Sequence, residues 1–340
     1  MIHSPPPSPS LAAAQLTVGY RRGHQVYPVS QGLKLQASPG QLIALLGPNG
    51  CGKSTLLRTL AGMQPPLGGQ VFLNGHPLTR LSPVRRATQL AVVLSEAPDA
   101  NLTTYDLVAT GRYPYTGWFG GMAAEDERAV RQALAQTNTQ HFAHRPIGSL
   151  SDGERQKVMI ARAVAQGTPL LILDEPTAHL DVPNRIAVLQ LLLRLAHEHR
   201  KTVLLSTHAL DLALLMADQL WLMHAGQVQA GVPEDLVLRG AVAAVFEKEG
   251  LTFDRQTGAF APPRAAGPPV RVEGSGLEAL WTQRALERSG YTVVDNADGG
   301  PVVRVVAGPP RRWVIEPDAS QKNQHSIGAM LAHLATLRMP

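Results

Sequence analysis

The sequence predicts an α/β fold carrying a helical insertion and, toward its C-terminal end, a small α+β domain. Three observations carry this. Apolar runs of strand length alternate with helical patterns from about residue 14 to 245, as strands joined by crossover helices require. Residues 42–46 are continuously apolar, which suits a parallel strand buried on both faces. Residues 100–165 contain no run that reads as a strand, only helical patterns.

The run at 42–46 is followed by a Gly-rich turn and then by a helix opening at Ser54. Residues 170–173 and 202–205 read as two more buried strands, each ending in polar residues. Residues 70–73 lead into Asn74-Gly75, a pair that tolerates the positive φ of a tight hairpin, so an antiparallel portion is expected there. Inside 100–165, segments 105–110, 125–135 and 154–165 read as the helices of an inserted subdomain. Together these place one α/β domain over residues 14–260. Residues 261–269 (APPRAAGPP) form a linker, because Pro and Gly block both helix and strand. Beyond it, strands are expected at 270–272, 291–294, 302–306 and 313–315, flanked by amphipathic helices at 277–288 and 327–337. That is a small α+β accessory domain over residues 270–340. Residues 1–13 are expected to be a disordered lead-in; their Pro- and Ser-rich start has neither the basic region nor the apolar core of a signal peptide.

Composition narrows the class. The chain has 340 residues, 44% hydrophobic and 17% charged, enough for one large globular domain and a smaller one. No segment approaches the roughly 18 consecutive apolar residues of a membrane span; the longest candidate, 187–196, is interrupted by Gln190 and Arg194. The net charge of +5 is scattered in isolated pairs such as Arg21-Arg22, Arg85-Arg86 and Arg311-Arg312. No basic stripe forms, so direct nucleic-acid binding is not expected. The single cysteine, Cys51, excludes an intramolecular disulfide and fits a reducing compartment.

The chemistry-bearing residues fall into three groups. Gly47-Pro-Asn49-Gly50-Cys51-Gly52-Lys53-Ser54-Thr55 has the spacing of a phosphate-binding loop and stands between a strand and a helix. Its glycines let the backbone N–H groups and the helix N-terminus face phosphate oxygens. Lys53 supplies a cation for the β- and γ-phosphates, and Ser54 a hydroxyl ligand for Mg²⁺. The run at 170–173 ends in Asp174-Glu175, where one carboxylate can hold Mg²⁺ through its water shell and the next can orient or activate a water. Finally, Ser151-Asp152-Gly153-Glu154 opens a helix, with Ser151 as N-cap and Glu154 at the capping-box position.

In this order and spacing, the sequence Leu150-Ser151-Asp152-Gly153-Glu154-Arg155-Gln156 resembles the signature motif of ABC ATPases. The resemblance covers roughly residues 14–260. It implies a P-loop cassette with a RecA-like core and two cassettes paired head to tail as a homodimer. Ser151, Gly153 and Glu154 of one copy would then close on ATP held by the other, a second helix N-terminus meeting the γ-phosphate. It further implies that His208 is the switch histidine contacting the γ-phosphate, that Asp181 lies in the loop coupling the two sites, and that Tyr20 stacks on adenine. One position departs from the family pattern. Glu96 stands where a glutamine touches Mg²⁺ and links the site to the membrane subunits, and a carboxylate can ligate Mg²⁺ at least as well.

Residues 102–117 and 253–260 resemble the importer subfamily for iron–siderophore, haem and cobalamin complexes. That resemblance implies a peripheral subunit on the cytoplasmic face of a bacterial inner membrane. Its partners would be permease subunits and, through them, a substrate-binding protein, with residues 105–118 at the permease contact. A chromosome-maintenance ATPase would carry a coiled coil or zinc modules between loop and signature, and a translation factor would carry two cassettes; neither is present. A nucleotide-sensing module without turnover is the remaining alternative, opposed by Glu175 and His208. His197 and His199, two apart on a helix, face different directions, so no structural metal is expected there.

Overall fold

The computed structural model describes residues 8–94, 102–116, 121–247, 251–255, 257–261, 267–295, 300–316 and 323–337. They divide into two compact units, Met1–Lys248 with Phe253–Phe260, and Glu249–Thr252 with Ala261–Pro340. The first unit opens with strands β1 (Leu11–Arg22), β2 (Gln25–Ala37) and β3 (Leu42–Leu46), then helix α1 (Lys53–Leu60). Strands β4 (Gly68–Leu73) and β5 (His76–Pro77), helix α2 (Pro83–Ala87) and strand β6 (Leu90–Val93) follow. Three helices come next, α3 (Thr104–Ala109), α4 (Ala124–Gln136) and α5 (Asp152–Ala165). The core resumes with β7 (Leu170–Leu173), α6 (Val182–His197), β8 (Thr202–Ser206), α7 (Leu210–Met216), β9 (Gln219–His224) and β10 (Gln227–Gly231). Helices α8 (Pro233–Leu238) and α9 (Ala241–Phe246) and the hairpin strands β11 (Thr252–Asp254) and β12 (Ala259–Ala261) close this part of the chain.

Two sheets carry the first unit. One is antiparallel, in the order β2-β1-β4-β5; the other runs β10-β9-β3-β8-β7-β6, parallel except for β10. Every residue of β3, β7 and β8 is buried, which accounts for their unbroken apolar runs. The space between the two sheets and α1 is filled by Leu16, Leu35, Ile43, Leu45, Leu56 and Trp221. On the other side of the parallel sheet, α5 and α6 pack through Val158, Ile160, Leu192 and Leu195. Burying a Leu or Ile this fully contributes about 1.5–3 kcal/mol. At the β4–β5 hairpin, Asn74 and Gly75 take φ of 47° and 79°, the left-handed pair that the Asn-Gly dipeptide suits.

Two expected boundaries shift. The lead-in does not extend to residue 13, because β1 begins at Leu11 and pairs there with both Ala37 and Leu73. Ser10 before it is buried and accepts a hydrogen bond from the Thr202 hydroxyl at 2.7 Å. The linker is also shorter than 261–269, since Ala261 ends β12 and Pro269 begins the next strand.

The second unit comprises β13 (Pro269–Glu273), α10 (Gly276–Arg288), β14 (Thr292–Val293), β15 (Val302–Val306), β16 (Arg312–Glu316) and α11 (Ile327–Thr336). Its sheet order is β14-β13-β15-β16, with only the β15–β16 pair antiparallel. Val270, Leu286, Val303, Trp313, Ile315 and Met330 make its core. The Trp313 indole N–H is satisfied by the Thr282 hydroxyl at 2.7 Å, as a buried indole requires.

Candidate functional site

The site lies at the carboxyl ends of three neighbouring parallel strands, β3, β8 and β7, the edge of an α/β sheet where ligands usually bind. Register places Leu45 opposite Ser206 and Leu173 opposite Leu205. The next residues of each strand, Gly47 onward, Thr207-His208 and Asp174-Glu175, therefore emerge side by side.

After β3 the chain wraps as a loop into α1. Gly52 has φ of 108°, and a Cβ there would overlap the Val29 side chain, so only glycine fits. Helix α1 has no acidic residue in its first turn and no side-chain cap, leaving its N-terminal N–H groups and positive dipole end for an anion. Lys53 is buried to 6% exposure and donates to the carbonyls of Gly47 (3.0 Å) and Pro48 (3.3 Å) within the loop. Cys51 is half-buried and packs against the core beneath the loop. Tyr20 shares a hydrogen bond between its hydroxyl and that of Thr55 while its side chain stays half-exposed, so an aromatic face stands beside α1.

Ser54 donates to Asp174 Oδ1 at 3.2 Å. Ser206 donates to the same oxygen at 2.7 Å and accepts from the Glu175 backbone N–H at 2.8 Å. Glu175 sits at φ of 50°, a left-handed conformation costing a non-glycine residue of order 1 kcal/mol. Its Oε1 lies 2.8 Å from His208 Nε2. Loop, two carboxylates and histidine are thus joined in one contiguous cluster. Ser206 is the member that sequence reasoning missed: it was legible only as a strand-terminal serine, although it is fully buried and orients both acids. The hydroxyl of Ser54 and the carboxylate of Asp174 are hard oxygen donors, chemistry that suits Mg²⁺, an ion that retains several waters and needs few protein ligands.

A separate cluster forms at the N-terminus of α5. Ser151 accepts from the Glu154 N–H at 3.3 Å, and Glu154 Oε2 accepts from the Ser151 N–H at 2.8 Å. The bonds donated by the Ser151 backbone and hydroxyl, with Arg145 and His141 nearby, hold the Glu154 carboxyl below its usual range against the opposing effect of burial. Gly153 faces the Asn184 side chain, which would lie 2.6 Å from a Cβ. Asn184 is in turn held by Asp181, whose carboxylate caps α6 by accepting the Asn184 N–H at 3.0 Å. Gly153 and Asp181 therefore meet through one asparagine. The described hydrogen bonds of Ser151 run to Glu154 and, through its carbonyl, to the Arg155 N–H, and none to the phosphate loop. Glu96 lies outside the described residues, as do Gly117 and Trp118. His197 pairs with Asp218 at 3.0 Å and His199 with Gln136 at 3.4 Å. Among the described residues no helix is long and apolar enough to cross a membrane.

A phosphate loop after β3, paired acids after β7 and a histidine after β8 between them define a nucleoside triphosphatase of the P-loop class. Residues 30–178 match the family described as ABC transporter, and residues 267–335 match the iron ABC transporter C-terminal domain. The chain is 40% identical over 240 residues to the achromobactin transport ATP-binding protein CbrD of Dickeya dadantii, covering 70% of this chain and 87% of that one. It is also 40% identical over 241 residues to the iron(3+)-hydroxamate import ATP-binding protein FhuC of Bacillus subtilis, covering 70% and 88%. Among solved structures, the ATP-binding cassette MJ0796, a dimer in a post-hydrolysis state with ADP and Pi, matches at TM-score 0.57 and 25% identity over 66% of this chain and 98% of that one. The chain belongs to the ABC transporter ATP-binding protein family, and its activity is that of an ATPase.

Proposed function

We propose that this chain is the ATP-hydrolysing subunit of an importer for chelated iron, haem or cobalamin, working as a homodimer against membrane permease subunits. The substrate class rests on the names of its relatives and on the iron-transporter C-terminal domain. The observation that carries the ATPase chemistry is the hydrogen-bonded cluster of Ser54, Asp174, Ser206, Glu175 and His208 at the ends of three adjacent strands.

In this reading the phosphates settle on the N-terminal N–H groups of α1, and Lys53 exchanges its loop carbonyls for the β- and γ-phosphate oxygens. Tyr20 supplies a stacking face for adenine. Ser54 and Asp174 would hold Mg²⁺, which would supply charge neutralisation at the β- and γ-phosphates. Glu175 takes a proton from the attacking water, whose oxygen bonds to the γ-phosphorus as the bond to ADP breaks. His208 holds the Glu175 carboxylate and contacts the γ-phosphate. Ser151 and Gly153 of a second copy complete the site, and Asp181 links the two. Glu96 serves the place of the family's glutamine. Residues 270–340 act as an accessory domain. The chain works at the cytoplasmic face of an inner membrane, with a substrate-binding protein delivering cargo to the permease.

The test is reconstitution in liposomes with permease subunits of the importer class. ATP hydrolysis and uptake of a labelled ferric chelate or cobalamin should rise together and stop together in Glu175→Gln. ATP hydrolysis without uptake of any of these would refute the importer assignment.

A further inference from the structure

We propose that Arg112 is a positioning residue for ATP hydrolysis: it clamps the C-terminal turn of α5 and so aims the Ser151–Gly153 cap at the far end of that helix. Arg112 is buried to 7% exposure in the 3₁₀ turn that follows α3. Its Nε donates to Asp126 Oδ1 at 2.9 Å, and its Nη1 donates to the Ala165 carbonyl, the last of α5, at 2.9 Å. A guanidinium there meets both the unpaired carbonyls and the negative dipole end of the helix. Three neighbours grip the same turn. The Tyr115 ring lies under the Arg112 guanidinium, 3.9 Å to its centroid, and its hydroxyl donates to the Gln166 carbonyl at 2.9 Å. Arg162 Nε donates to the Thr110 hydroxyl at 3.0 Å. Gln166 also donates to the Leu90 carbonyl at 3.0 Å, joining this turn to the start of β6 in the parallel sheet.

The consequence is mechanical. Helix α5 has 14 residues, so at about 1.5 Å per residue it is about 21 Å long, and a tilt of about 5° at one end shifts the other by about 2 Å. Misplacement by about 1 Å can cost about a hundredfold in rate. The Asp126 carboxylate is fixed independently, accepting the Ala123 N–H at 3.0 Å, so Arg112 ties α4, α5 and the turn into one body. Lysine cannot replace it, because a single ammonium lacks the planar fork that reaches acid and carbonyl together.

The proposal rests on the reading of Ser151 as part of a composite ATP site, and the experiment separates the two. Full-length Arg112→Lys, Tyr115→Phe and Ser151→Ala proteins are compared for kcat, for nucleotide affinity and for thermal melting. Nucleotide affinity is read with a fluorescent ATP analogue at protein concentrations too low to dimerise. Tyr115→Phe keeps the ring and loses one hydrogen bond of a half-exposed hydroxyl, so its fold survives even if Arg112→Lys does not. The expected result is kcat lowered about tenfold in Arg112→Lys and about threefold in Tyr115→Phe, with analogue affinity unchanged. Slow Ser151→Ala beside full kcat in both other variants overturns the clamp alone. Full kcat in Ser151→Ala overturns the composite site beneath it. Loss of kcat in step with analogue affinity makes Arg112 a fold-stabilising residue and overturns the proposal as well.

Discussion

His208 Nε2 approaches Glu175 Oε1 to 2.8 Å across the ends of two adjacent strands, and Glu175 holds a backbone φ of 50° to meet it. The contact leaves the other carboxylate oxygen for a water and gives the acid one orientation. General-base catalysis contributes about 10²–10⁴ in rate. Glu175→Gln should therefore lower the steady-state ATPase rate at least about a hundredfold while ATP binding persists. A near-wild-type rate in purified Glu175→Gln would falsify the general-base role. His208→Ala should also slow turnover, with little change in nucleotide affinity.

Ser206 serves both acids at once. Removing its hydroxyl leaves Asp174 with the longer Ser54 bond at 3.2 Å and the Glu175 N–H without its acceptor in a buried place, and such an unsatisfied group costs about 1–3 kcal/mol. Ser206→Ala should melt earlier and hydrolyse ATP more slowly, and Ser206→Thr should recover part of both. Unaltered kcat in the alanine variant would show that Ser206 does not set the geometry of the acids.

Cys51 lies inside the phosphate loop, half-buried, with its sulfur against Gly47. An alkyl group added there stands within the loop that must receive the phosphates. Alkylation by N-ethylmaleimide should inactivate the enzyme, ATP should protect it, and Cys51→Ala should be immune. Equal inactivation of Cys51→Ala would place the sensitive group elsewhere.

Asp126 is held below its ordinary value of 3.8, first by the Ala123 N–H and then by Arg112, and Glu154 below its ordinary 4.5 by the Ser151 cap. A carboxyl depressed in the folded state contributes stability that is complete above its ordinary value and is lost as pH falls through the lower folded value. Urea unfolding should therefore show stability constant from these groups above about pH 5 and declining below about pH 4. Asp126→Asn should be less stable at pH 7 and decline less steeply in acid. Parallel acid limbs in the two proteins would contradict the assignment.

Glu96 is testable although it lies outside the described residues. Replacing its carboxylate by the family's amide removes one negative charge; at an effective dielectric near 20, unit charges about 4 Å apart interact by roughly 4 kcal/mol, most of it offset by Mg²⁺ and Lys53. Glu96→Gln should hydrolyse ATP at a comparable or higher rate with weaker Mg²⁺ affinity, and Glu96→Ala should lose both Mg²⁺ affinity and coupling. Identical Mg²⁺ titrations for all three proteins would remove Glu96 from the site.

The sequence by itself determined the phosphate loop, the strand-terminal Asp174-Glu175, the Ser151 cap and the buried strands 42–46, 170–173 and 202–205. Each is written in contiguous residues whose spacing is dictated by local backbone geometry or by burial on both sheet faces. Tertiary structure alone decided what depends on strand order and register. The sequence does not say that β8 lies between β3 and β7, and only that order lets Ser206 reach Asp174 and Glu175, or His208 reach Glu175. The early start of β1 likewise follows from its pairing with β2 and β4, strands whose own residues lie 26 and 62 positions beyond Leu11 at Ala37 and Leu73. The Arg112 clamp was equally hidden, because a buried ion pair joins residues on separate helices and no local pattern marks which arginine will leave the surface. Local rules name the groups; long-range packing chooses their partners.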